Sequence, residues 1–319
     1  MRSLFRILIF TVCVAAMSAC GGANDSGSAA PEADKPTVAL IMKSLANEFF
    51  VTMADGAREH HATRTDDYDL IVNGIKNEID LAQQVALIDQ MIASRVDAIV
   101  IAPADSKAVV PALARAAAAD IVIVNIDNRL DGEVLDEYGL SVPFVGPDNF
   151  VGAEIVGKYL AERLAAGDPV AILEGVPTAY NSQQRTAGFE KAMQDGGMEI
   201  VAQQSAQWDQ TAAVTVASGI LVQHPDLVAM LCANDNMALG AVAAITQAGR
   251  SGQVTVIGFD NISAVQTLIR DGTILATVDQ HAGLLAVYGI EYALEALQTG
   301  AQLADRDTPV DLVTADRLD

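Results

Sequence analysis

The sequence is short of cysteine, tryptophan and basic residues. Its 319 residues include three cysteines, one tryptophan, and 19 lysines and arginines against 41 aspartates and glutamates. A formal net charge of −22 argues against nucleic acid as a partner and against anionic substrates as a class. Signatures of catalysis and of cofactors are missing too. There is no Gly-rich loop closing on Lys-Ser/Thr, and no Gly-x-Gly-x-x-Gly after the first apolar run, so no nucleotide fingerprint is present. A paired Cys-x-x-Cys, a His-Glu-x-x-His and a Gly-x-Ser-x-Gly nucleophile elbow are all absent. No cofactor, metal or catalytic residue is expected. His60 and His61 are neighbours, so on a helix they would point in different directions and be solvated.

What is present begins with a leader. In residues 1–20, Arg2 and Arg6 precede a short apolar core from Ile7 to Met17, too short for a permanent membrane span. Ser18 and Ala19 then precede Cys20. This arrangement resembles a bacterial lipoprotein signal, which implies cleavage before Cys20 and lipidation of that residue. The alternative is an ordinary secretory signal in which Cys20 is incidental. Residues 21–35 are rich in Gly, Ser, Ala and acid and read as a flexible tether. Cys13 leaves with the leader and Cys20 carries lipid. Cys232, inside the apolar run LVAMLCAN, then stands alone as a buried thiol, and no disulfide can form within one mature chain. Losing the leader removes two basic residues and no acidic ones, so the mature chain is more negative still.

From Thr37 onward, strand-like and helical patterns alternate. Apolar, β-rich runs occur at 37–42, 69–73, 97–101, 121–126, 142–146, 169–173, 199–202, 227–231, 254–259 and 274–278. Most are continuous rather than alternating, as parallel strands buried on both faces require. Helical patterns lie between them at 47–62, 78–94, 106–119, 149–166, 182–195, 210–223, 234–248 and 281–298. Asn47, Asp105 or Ser106, Asn149 and Asn234 open helices as caps, and Gly249 and Gly300 close them. The fold class is α/β, built of right-handed βαβ units. The length after the tether suits two lobes.

Asp127, Arg185, Trp208, Asn234, Asp260 and Gln280 each follow one of the apolar runs. In open parallel sheets, ligands bind in the crevice outside the carboxyl ends of the strands. Carboxylates, a guanidinium, amides and an aromatic face are the groups that grip a neutral polyhydroxyl ligand. They include no evident nucleophile–base pair.

At these residues the chain resembles the periplasmic sugar-binding proteins of bacterial ABC importers, the ribose- and allose-binding group. The resemblance runs from about Thr37 to Thr314. It rests on TVALIMKSLANEFFVTMADGA, DAIVIAPADS, IVNIDN, FVGPDNFVGA, NSQQRTAGF, QWDQ, CANDNMALGA, VIGFDN and ATVDQ taken in order. It implies a type I periplasmic-binding-protein fold, with two doubly wound parallel-sheet lobes joined by three hinge crossings near 146–147, 280–281 and 311–312. The lobes would be 36–147 plus 281–311, and 148–280 plus 312–319. The lactose-repressor type of regulator shares the fold, but here a leader occupies the place of its DNA-binding helices.

The resemblance implies ligand contacts at Lys43, Asn47, Phe49, Phe50, Asp127, Asn128, Arg185, Trp208, Asn234, Asp260 and Gln280. Lys43 and Trp208 match the allose-like binders, whereas Asn128 stands where ribose binders carry arginine. Phe50 and Trp208 would sandwich the sugar faces, with Phe49 flanking. Asp127 and Asp260 would accept from hydroxyls, Lys43 and Arg185 would donate, and Asn234 and Gln280 would do both. The bland readings are core for Phe49, Phe50 and Trp208, a cap for Asn234 and Asp260, and a solvated amine for Lys43. Asp148 and Asn149 read as a cap and a lobe-crossing turn, and Arg129 could supply the charge missing at Asn128.

The expected protein is a monomeric, lipid-anchored binder in the periplasm or on the cell surface. It would pass a neutral monosaccharide or polyol to an ABC permease in the cytoplasmic membrane, and a chemoreceptor or sensor kinase could read the same closed form. The rival is a glycoside-processing enzyme using Asp127 and Asp260. Against it, the surrounding cationic and amide groups should keep both carboxylates ionised, leaving no general acid.

Overall fold

The computed structural model describes residues 35–318. The leader, Cys13, Cys20 and nearly all of the tether lie outside the described residues. In chain order the first half runs β1 (Thr37–Ser44), α1 (Glu48–Ala62), β2 (Asp69–Ile75), α2 (Leu81–Ser94), β3 (Ala98–Ile101), α3 (Val110–Ala117), β4 (Val122–Ile126), α4 (Gly132–Glu137) and β5 (Phe144–Pro147). There follow α5 (Asn149–Ala161), β6 (Pro169–Glu174), α6 (Tyr180–Gly196), β7 (Glu199–Ser205), α7 (Gln210–Gln223), β8 (Ala229–Cys232), α8 (Asp235–Gln247), β9 (Thr255–Ile257), α9 (Ser263–Arg270) and β10 (Thr277–Asp279). The chain closes with α10 (Ala282–Thr299), β11 (Arg306–Thr308), β12 (Asp311–Val313) and a short 3-10 turn.

Two parallel sheets organise these elements. The first has the strand order β2-β1-β3-β4-β5-β11, and the second β7-β6-β8-β9. A parallel bridge from Ile257 to Ala276 leads from β9 to the segment before β10, which pairs antiparallel with β12. The chain passes between the sheets after β5, after β10, and between β11 and β12.

β1 shows why its apolar run is continuous. Val38, Leu40 and Met42 pack with Phe49, Phe50 and Met53 on one face, while Ala39 and Ile41 pack with Ile88, Met91 and Leu113 on the other. Both faces are core, so the usual polar alternation has no place. The apolar side of each helix covers a sheet face, as a βαβ unit requires.

Several boundaries depart from the sequence pattern. α2 starts at Leu81, because the Asp80 carboxylate accepts from Gln83 N and stops the helix there, leaving Glu78 in the preceding loop. α3 starts at Val110, because the Asp105 carboxylate holds a turn by accepting from Lys107 N and Ala108 N. The cap of α5 is Asp148, not Asn149. α4, α9, β11 and β12 are six, eight, three and three residues long, too short for a clear period to show in sequence. His60 and His61 are half-buried rather than solvated. Both hold Tyr68, His60 through the hydroxyl (2.9 Å) and His61 through the carbonyl (3.1 Å). Cys232 is fully buried within β8, and burial pushes its thiol up.

Candidate functional site

The two strand orders place the site. In the first sheet the order reverses direction between β1 and β3, and in the second between β6 and β8. Crevices form at such switch points, beyond the carboxyl ends of the strands. Lys43 lies at the end of β1 and Asp127 just past β4. Trp208 follows β7, Asn234 follows β8, Asp260 follows β9 and Gln280 follows β10. Arg185 projects from α6 and Phe49 and Phe50 from α1.

Nine of the eleven expected residues line one cavity: Lys43, Asn47, Phe49, Phe50, Asp127, Arg185, Trp208, Asn234 and Asp260. The cavity itself measures only about 20 Å³. This is small beside the roughly 300–1,000 Å³ of pockets for drug-sized ligands. Every one of the nine side chains is buried.

The loop backbone holds three of these residues in conformations that L side chains seldom adopt. The φ angles are +63° at Asp127, +66° at Trp208 and +126° at Asp260. Such strain costs about 1–3 kcal/mol per residue and persists where the surroundings enforce it, as at ligand clamps.

On the first sheet's side, Lys43 Nζ lies 3.0 Å from Asp127 Oδ2, with both side chains buried. The same ammonium lies 5.6 Å from the Phe50 ring centre and 5.8 Å from that of Trp208. Phe49 and Phe50 meet edge to face at 5.1 Å. On the second sheet's side, Arg185 is anchored in three directions. Its Nε donates to Asn149 Oδ1 (2.8 Å), and its Nη1 donates to Ala233 O (2.8 Å) and reaches Asp260 Oδ1 at 3.4 Å. Its guanidinium carbon stands 3.8 Å from the Phe259 ring centre. Gln280 Nε2 donates to Asp260 Oδ1 (2.7 Å), so Gln280 lies behind Asp260 rather than on the cavity wall. Asn234 caps α8 by accepting from Met237 N, and its Nδ2 donates to Trp208 O at 3.4 Å. It is therefore both cap and cavity wall.

Three expectations are corrected. Asn128 does not face the cavity. Its side chain donates to Pro103 O (3.0 Å) and accepts from Asn181 N (3.1 Å), because the short amide is used up bonding backbone on either side. Arg129 does not replace the missing charge, since it pairs with Asp305 (2.5 Å) and lies on the Phe144 ring. Nor does the setting simply favour two ionised carboxylates. Burial pushes the Asp260 carboxyl well above its ordinary range and the Arg185 guanidinium down, and their mutual attraction opposes both shifts.

Two wall residues escaped the sequence reading, Glu78 and Asn181. Glu78 accepts from Asn47 Nδ2 (3.2 Å). Burial raises its carboxyl to about 7, against the nearby Lys43 ammonium and the Asn47 hydrogen bond. No motif marks it, because its position depends on where α2 begins. Asn181 had a readable signal: it precedes Arg185 by four residues, which puts both on one face of α6. Several buried polar atoms of this region have no hydrogen-bond partner: Asp127 Oδ2, Asn181 Oδ1, Trp208 Nε1 and Gln280 Oε1. For Asp127 Oδ2 the nearby Lys43 supplies an ion pair without hydrogen-bond geometry. Buried polar groups are rarely left unpaired, and they cluster here among aromatic rings.

Two βαβ sheets that enclose a small, polar and aromatic chamber between them define a solute-binding protein. The chain belongs to the periplasmic binding protein family, whose domain matches residues 38–302. It is 54% identical over 286 residues to a D-ribose/D-allose-binding protein of Pseudomonas aeruginosa, covering 88% of this chain and 90% of that one. An ABC-transporter solute-binding protein from Burkholderia multivorans has a TM-score of 0.87 at 55% identity, over 88% of this chain and 100% of that one. Another, from Actinobacillus succinogenes with bound D-allose, has a TM-score of 0.84 at 38% identity, over 89% and 99%.

Proposed function

We propose that the chain captures a neutral monosaccharide of the ribose or allose kind outside the cytoplasm and delivers it to an ABC importer. The observation that carries this reading is the buried chamber, where acceptors, donors and aromatic faces converge from the ends of both sheets. A sugar ring suits the lining of this chamber once the lobes part to make room for it, with a belt of hydroxyls for Asp127, Asn181, Asn234, Asp260 and Glu78, and C–H faces for Phe50 and Trp208. Hydrogen bonds to charged groups contribute about 1.5–3 kcal/mol each, so a few of them with stacking suffice for micromolar affinity, roughly −8 kcal/mol. The 54% identity to a D-ribose/D-allose-binding protein supports the same ligand class, and Lys43 and Trp208 tilt the choice towards allose.

The two sheets and their covering helices act as two lobes, divided near residues 147, 280 and 310. The lobes part to admit the ligand and close over it. The permease distinguishes loaded from empty protein by that closure. The role is binding rather than catalysis: Asp260 is held by Arg185 and Gln280 and Asp127 by Lys43, so each carboxyl is engaged by a neighbouring donor or cation. Outside the lobes, a lipid on Cys20 holds the protein to a membrane, and residues 21–35 are its tether. Among the described residues no helix is long and apolar enough to cross a membrane.

Trp208 is the chain's single tryptophan and sits in the chamber wall, so its emission reports occupancy. A titration with D-allose, D-ribose, D-glucose, myo-inositol and sorbitol should give a saturable change with an aldopentose or aldohexose at micromolar concentration. No change with any of the five at millimolar concentration would refute the assignment.

A further inference from the structure

We propose that Ser106, Asn128 and Glu48 are positioning residues for capture, acting as caps supplied across the cleft to helices of the opposite lobe. The first amides of any helix have no partner within it, and a side chain at the N-cap normally meets one of them. On the second sheet, α5, α7 and α8 follow that rule, with Asp148, Asp209 and Asn234 as caps. The other two helices do not. The N-cap of α6 is Ala179 and that of α9 is Ile262, and neither carries a side-chain acceptor. Their first amides are met from the far side of the cleft. Ser106 Oγ, in the loop after β3, accepts from Tyr180 N at 2.9 Å. Asn128 Oδ1, in the loop after β4, accepts from Asn181 N at 3.1 Å. Glu48 Oε1, in the first turn of α1, accepts from Ser263 N at 2.8 Å, and its negative charge suits a helix N-terminus.

The placement of these bonds gives them a role in binding. α6 carries Asn181 and Arg185 into the chamber, and α9 follows directly on the Asp260 loop. The three caps therefore draw the second sheet's ligand groups up to those of the first. They exist only when the lobes meet, and none needs a ligand. In the open molecule the same amides face water. Omitting a self-cap from α6 and α9 thus moves part of each helix's stabilisation into the closed state. A protein whose binding-competent state is partly populated binds with an apparent Kd equal to the intrinsic one divided by that fraction. The caps raise the fraction. This also accounts for Asn128, which occupies a position where the ribose binders carry an arginine yet turns away from the chamber.

The proposal rests on the lobe closure described above but not on the identity of the sugar, so its test is made without ligand. Nitroxide labels at Ile79→Cys and Thr211→Cys, in a chain that also carries Cys20→Ala, flank one groove at the cleft mouth, one on each lobe, and Cys232 is buried. Pulsed electron resonance on the labelled mature chain then reads the open and closed populations. Compared with the labelled parent, Glu48→Ala/Ser106→Ala should lower the closed-to-open ratio by roughly two- to thirtyfold for each cap removed. Ala179→Ser, which gives α6 a cap of its own, should also shift the population towards open while leaving the melting temperature equal or higher. A merely structural role for these residues would lower the melting temperature without moving the distances. Identical distance distributions in the parent and Glu48→Ala/Ser106→Ala, or a ligand-free parent with no closed fraction, would overturn the proposal.

Discussion

The indole of Trp208 packs against the backbone of Gly175, directly after β6, so closely that a Cβ at residue 175 would collide with Cζ2, Cε2 and Cη2 of the ring. The tryptophan is thus seated by a missing side chain on the neighbouring strand end, and by its own left-handed backbone. Gly175→Ala should tilt the indole away from the chamber. We expect at least a tenfold loss of sugar affinity, about 1.4 kcal/mol, with the fold retained in circular dichroism. Affinity equal to wild type would mean that the ring's seat is not part of recognition.

The Lys43–Asp127 pair is buried on both sides. Removing one partner leaves the other charged and unpaired, at a cost of about 3–5 kcal/mol, whereas replacing both is often close to neutral. Asp127→Asn should therefore lower the unfolding free energy by about 3 kcal/mol, and Lys43→Met/Asp127→Asn should recover most of the loss. Neither variant should bind sugar. Denaturant unfolding and titration check the two halves separately, and additive losses in the double variant would contradict the coupling.

Burial raises the Glu78 carboxyl from 4.5 to about 7. The folded protein therefore keeps a proton that the unfolded chain releases. Its contribution to stability is complete below about pH 4.5 and is lost as pH rises through about 7. Glu78→Gln removes the effect. The melting temperature of the variant relative to wild type should climb between pH 4.5 and 7.5 and level off above, by a few degrees for an effect of at most about 3 kcal/mol. A difference that stays flat over that range would show that the carboxyl is ionised throughout.

If Cys20 carries the anchor, Cys20→Ala should move the protein from the membrane to the soluble fraction of cells and leave sugar affinity unchanged. Continued sedimentation with membranes would assign the attachment to another part of the chain.

The sheet architecture was legible because parallel strands buried on both faces leave continuous apolar runs, as β1 does with Val38 to Met42. The polar residues after those runs were legible for the same reason, since the strand ends define the crevice. Residues whose location depends on local stops were not. Glu78 reaches the chamber because Asp80 caps α2 and delays its start to Leu81, a difference of three residues that hydrophobic periodicity does not resolve. Asn128 was misplaced because a sequence position says which loop a side chain leaves and not which partner it takes. Here backbone groups at Pro103 and Asn181 took it. Contacts across the cleft, such as Glu48 with Ser263, join residues 215 apart and have no signature in either segment alone.

The most direct test of the account is isothermal calorimetry of the mature chain with D-allose and D-ribose, run in parallel with Asp260→Ala. Asp260 accepts from both Arg185 and Gln280, so its loss should unseat the donor side of the chamber. We expect one site per chain at micromolar or tighter Kd for at least one of the two sugars, weakened by at least a hundredfold, about 2.8 kcal/mol, in the variant. No binding heat with either sugar at millimolar concentration, or equal affinity in Asp260→Ala, would contradict it.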